Sequence, residues 1–99
     1  METREFQKMC AEIVKKIDGK YKIDRDPHFS FVQFIEEVGE LAKEINKPKL
    51  RNKKIDKENL EGEFADVFLQ FVILADMFNV DLEKAVEAKQ KVFEERHGI

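Results

Sequence analysis

The sequence predicts an all-α fold of four helices per chain, in a single domain over residues 1–99. Apolar residues recur at spacings of three and four along most of the chain, the period of an amphipathic helix. Only four Gly and two Pro are present, which disfavours a many-turned β architecture. With 42% hydrophobic and 39% charged residues, the chain is too apolar for disorder, and its length suits one core rather than two.

The first helix is expected over about residues 3 to 18, with Phe6, Met9, Cys10, Ile13, Val14 and Ile17 on one stripe and Gly19 at its C-terminal cap. Lys20 to Arg25 then read as a connection. Asp26 and Pro27 supply an N-cap and a proline at the first position of a second helix, about 26 to 46. Its stripe is Phe31, Phe34, Ile35, Val38, Leu41, Ala42 and Ile45, and Pro48 disfavours helix at Lys47. The segment from Lys47 to Lys57 carries six basic residues and few apolar ones, a basic loop. Asp56 caps a third helix, about 57 to 78, and Asn79-Val80 make a corner. Asp81 caps a fourth helix that ends near His97, with Gly98 beyond it.

The third helix is apolar nearly all round. Leu60, Phe64, Val67, Phe68, Phe71, Leu74, Ala75 and Phe78 form one broad face, while Leu69, Ile73 and Met77 lie opposite. Both sides need cover, so a bundle completed by a second copy is expected, as a homodimer or a dimer of dimers.

A net charge of −3 provides no positive field for a polyanion, which argues against nucleic acid as a partner. Cys10 is the single cysteine and lies at an apolar helical position, so an intracellular compartment is expected. METREFQKMC lacks the apolar core of a secretory leader, and no apolar run approaches the roughly 20 residues of a membrane span. A cytoplasmic protein with no membrane partner is the expectation.

Carboxylates carry the candidate chemistry. Glu36, Glu37 and Glu40 lie within little more than one turn of the second helix, and Glu63 and Asp66 repeat the three-residue spacing on the third. If the two helices pack together, Glu37, Glu40, Glu63 and Asp66 converge on one volume. The alternative is an ordinary solvated face. Carboxylates about 5 Å apart repel by roughly 3 kcal/mol per pair at an effective dielectric of about 20, so they protonate, separate or bind a cation. The donors are all oxygen, which favours Mg²⁺, with Mn²⁺ as a substitute, over zinc, copper or an EF-hand calcium site. Lys89 and Arg96 fall within the apolar stripe of the fourth helix and so point toward the interior. Either their stems cover apolar surface or they form a cationic rim for phosphates. His28, Phe29 and Gln33 are candidates for contacting a base, although Phe29 also suits a residue stapling the helix start.

The strings Glu36-Glu37-Val38-Gly39-Glu40-Leu41 and Glu63-Phe64-Ala65-Asp66-Val67, with 22 residues between Glu40 and Glu63, resemble the EExxE and ExxD motifs of MazG-like all-α nucleoside triphosphate pyrophosphohydrolases. The resemblance continues through Gln70 and the Asn79 to Glu83 corner to Lys89 and Arg96, covering roughly residues 30 to 97. It implies hydrolysis of a nucleoside triphosphate between the α and β phosphates. By motif position, Glu37, Glu40, Glu63 and Asp66 would hold Mg²⁺, Glu36 would orient or deprotonate the water, and Lys89 and Arg96 would stabilise phosphate charge. Phosphoribosyl-ATP pyrophosphohydrolases look similar, but usually carry Tyr-His where this chain has Leu69-Gln70. A non-catalytic helical interaction module and a metal-binding protein without hydrolytic activity are the remaining alternatives.

Overall fold

A computed structural model describes residues 1–99, and all its regular elements are helices. They are α1 (Thr3–Tyr21), α2 (Pro27–Ile45), α3 (Lys47–Leu50), α4 (Lys57–Met77) and α5 (Leu82–His97). No helix is long and apolar enough to cross a membrane.

Side chains named from the sequence start three of the four long helices. The Asp26 carboxylate accepts the Phe29 N–H at 2.7 Å, with Pro27 entering the first turn. Asp56 accepts from the Glu58 and Asn59 N–H groups, and Asp81 from that of Lys84. Each supplies an acceptor to a backbone donor that has no partner inside the helix. Asn79, at φ 56°, turns the corner between α4 and α5, and Gly98, at φ 64°, closes α5.

Two boundaries differ from expectation. Gly19 does not cap α1; the helix continues to Tyr21, and Lys22 takes the left-handed cap at φ 54°. The Lys22 and Ile23 N–H groups both donate to the Asp18 carbonyl, so backbone pairing ends the helix one turn after the glycine. Pro48 does not mark open loop either. It enters the first turn of α3, where its missing N–H costs no hydrogen bond. The buried Glu44 carboxylate holds this stretch, accepting from Lys47 Nζ at 2.6 Å and from the Asp56 N–H at 3.3 Å.

Packing centres on α4, which lies against α2 and α1. Ala11 and Val14 of α1 meet Ile73 of α4, with Leu69 packed alongside, so the narrower of the two apolar sides of α4 carries the intrachain core. The broad aromatic side is only partly covered, by a Phe6–Phe68 stack at 5.6 Å and a Phe34–Phe71 contact at 5.7 Å. Phe64 and Phe78 remain 54% and 62% exposed, so one chain does not cover this face. The apolar stripe of α2 is also left largely open, with Phe31, Ile35, Val38 and Ile45 exposed. α5 buries none of its residues and is tied to α1 through Arg4–Asp81 at 2.7 Å and the two bonds of Gln7 to Val80 and Leu82.

Candidate functional site

The α2–α4 contact turns part of the glutamate face of α2 toward α4. Glu37, Glu63 and Asp66 each place a carboxylate oxygen so that all three lie within 4.8 Å of one another. The three-residue spacing puts Glu63 and Asp66 on one face of α4, and Glu37 meets them from α2. Glu40 lies one turn beyond Glu37, is exposed, and stands 3.9 Å from Lys43. Glu36 is exposed and accepts from Gln33 Nε2 at 3.3 Å.

The cluster is not a relaxed surface patch. Glu63 Oε2 is buried with no hydrogen-bond partner, a costly state for a carboxylate oxygen. Burial first, and then the negative charges of Asp66, Glu63, Glu40 and Glu36, push the Glu37 carboxyl above its ordinary range. A divalent cation answers both conditions, because it supplies positive charge and accepts oxygen ligands. The donor set contains no nitrogen or sulfur, which fits a hard cation.

A cavity of about 270 Å³ shares Glu37 and Asp66 with the cluster. Its apolar lining includes Ile13, Ile17 and Leu69, and its polar lining includes Arg25, Gln33 and Gln70. Of the residues proposed for base contact, Phe29 and Gln33 line this cavity, while His28 is exposed and does not. Ile13 and Ile17, expected in the core, are 39% and 50% exposed because they form this wall instead.

Arg25 is a cavity-lining residue that sequence periodicity missed. Its Nε and Nη2 donate to the two Asp18 oxygens at 2.7 and 3.1 Å, and Nη1 donates to Ser30 Oγ and Gln70 Oε1, each at 3.2 Å. The guanidinium also stands 5.2 Å from the centre of the Phe29 ring. One side chain therefore ties the end of α1 to the start of α2 and to α4. A signal was present: Asp18 follows Cys10 and Val14 at intervals of four, an acid on the apolar stripe that required a partner.

Lys89 and Arg96 are not brought to the carboxylates within one chain. Contrary to the expectation that they face the interior, both are exposed. Lys89 lines a separate apolar groove of about 980 Å³ between α5 and the Phe68–Phe71 side of α4. Phe68 lies about 200° around α4 from Asp66 at the helical repeat, so that groove is on the far side of the helix. Arg96 rests over Phe93 at 6.0 Å. Nothing buries the α5 stripe in a single chain, so its cations have no interior to face.

No curated protein and no solved structure matched the chain in comparison. Residues 26–98 match the MazG nucleotide pyrophosphohydrolase domain, a span that includes the three clustered carboxylates, and the chain therefore belongs to this all-α family of nucleotide pyrophosphohydrolases.

Proposed function

We propose that this chain hydrolyses nucleoside or deoxynucleoside triphosphates to monophosphate and pyrophosphate with Mg²⁺, in nucleotide-pool house-cleaning. The observation that carries the reading is the convergence of Glu37, Glu63 and Asp66 beside a cavity, with one Glu63 oxygen buried and unpaired. These three, with Glu40 one turn away, would hold the ion, which when bound neutralises phosphate oxygens and lowers the pKa of water. Glu36, exposed beside them, would orient the attacking water and take up its proton as the water oxygen bonds to phosphorus and the bond between the α and β phosphates breaks, releasing monophosphate and pyrophosphate. The apolar wall with Phe29, Gln33 and Gln70 receives the base, while the carboxylates face the phosphate end.

Lys89 and Arg96 take the phosphate role in this reading only when a second chain supplies them, since their own helix lies on the far side of α4. The open aromatic face of α4, the open stripe of α2 and the unburied α5 support a homodimer or dimer of dimers. Pyrophosphate release from a panel of ribo- and deoxynucleoside triphosphates, with and without Mg²⁺, tests the proposal. Metal-dependent release from at least one member is expected, and no release from any would overturn it.

A further inference from the structure

The hydrogen bonds of Arg25 settle the polarity of an amide in the cavity. A guanidinium only donates, so Gln70 must turn its Oε1 to Arg25 Nη1, at 3.2 Å, leaving Nε2 as the group it offers a ligand. The second cavity amide is fixed in the opposite sense. A carboxylate only accepts, so Gln33 turns Nε2 to Glu36 and keeps its carbonyl oxygen for a ligand. Apart from the carboxylates Glu37 and Asp66 and the mutually paired Asp18 and Arg25, the polar groups of the cavity are these two amides, one offering a donor and the other an acceptor. A base edge that sets an acceptor against Gln70 Nε2 and an N–H against the Gln33 oxygen is matched, and an edge with the reverse order is not, so the fixed polarities can tell bases apart.

Arg25 itself is committed inward. Asp18 takes two of its hydrogen bonds and matches its charge, and Ser30 and Gln70 take two more. Its side chain is 10% exposed, so it does not serve as a free cation for phosphate. We propose that Arg25 is a positioning residue for base selection, acting through the orientation of the Gln70 amide. The inference rests on the nucleotide-hydrolase reading above and adds to it how the base is discriminated. Arg25 lies one residue before the segment that matches the family, and Gln70 lies within it.

Three variants test it, read as the ratio of kcat/KM between the best and worst of four deoxynucleoside triphosphates. Arg25→Lys keeps the charge beside Asp18 but loses the fork that reaches Gln70. Gln70→Glu keeps an acceptor for Arg25 and removes the donor from the cavity. Both are expected to compress the ratio about tenfold, the worth of a hydrogen bond in a partly buried site. For Arg25→Lys, the change on the best substrate should fall more on KM than on kcat. Ser30→Ala removes a different partner of the same guanidinium and should keep the wild-type ratio. Binding of the four nucleoside monophosphates by calorimetry gives the same ranking without turnover. Folded Arg25→Lys and Gln70→Glu proteins with the wild-type ratio overturn the inference while leaving the hydrolase reading intact. Equal compression by Ser30→Ala also overturns it, because the effect would then be structural. A wild type that neither hydrolyses triphosphates nor binds monophosphates overturns both readings.

Discussion

Replacing Glu37 by Gln should stabilise the metal-free protein and remove most of its response to Mg²⁺. Glu37 is within 4.8 Å of carboxylate oxygens from both Glu63 and Asp66. Each such pair repels by about 3 kcal/mol at an effective dielectric of 20 and by about 1 kcal/mol at that of water. Asp66 is exposed and Glu37 only partly covered, so the screened end of that range applies. Relief of two pairs gives roughly 1 to 2 kcal/mol, or about 5 to 15 °C in Tm for a domain of this size. The pH dependence has a definite sign. Because the Glu37 pKa is raised in the folded chain, its contribution is fully present below the unfolded-state value and is lost as pH rises through the folded-state value. Metal-free wild type should weaken across that window, and the variant should not. Saturating wild type with Mg²⁺ at about 100 times its Kd should add roughly 2.7 kcal/mol, so the order of stability reverses with metal. Thermal melts at several pH values, with chelator and with Mg²⁺, provide the assay. A Glu37→Gln protein that is less stable than wild type without metal, or that keeps the full Mg²⁺ shift, would refute the argument.

Lys89→Met and Arg96→Met should leave the melting temperature nearly unchanged, because both residues are exposed, while lowering kcat/KM about 10- to 150-fold. Wild-type kinetics for both would remove them from the phosphate site. Asp18→Ala strands the Arg25 guanidinium at a side chain only 10% exposed, and should cost about 3 kcal/mol in urea denaturation; a loss below about 1 kcal/mol would show the pair to be dispensable. Sedimentation equilibrium at micromolar concentration should find a dimer or tetramer, given the exposed Phe64, Phe68, Phe71 and Phe78, and a stable monomer would contradict that expectation.

Most of the fold was legible because it depends on local chemistry. Asp26, Asp56 and Asp81 begin helices where a short acceptor meets free N–H groups, and Gly98 ends one where the backbone goes left-handed. The misread positions were decided by contacts distant in sequence. Gly19 was passed over because α1 closes around the buried, Arg25-paired Asp18, and the turn at Pro48 is anchored by Glu44. Three of the carboxylates were legible for the same local reason, a three-residue spacing on two helices that pack together. The cavity was not, since it draws on α1, the α1–α2 connection, α2 and α4 at once. The apolar stripes of α2 and α5 read as core-facing in the sequence, and one chain leaves both largely open, because their cover is not local to either helix.

The central claim is that the carboxylate cluster supports cleavage between the α and β phosphates. Phosphorus NMR of a triphosphate incubated with wild-type protein and Mg²⁺ reads the products directly, with Asp66→Asn as the control. The account predicts equal amounts of nucleoside monophosphate and pyrophosphate from wild type, and an intact triphosphate with a folded Asp66→Asn variant. Diphosphate and orthophosphate as the products, or full activity in Asp66→Asn, would contradict it.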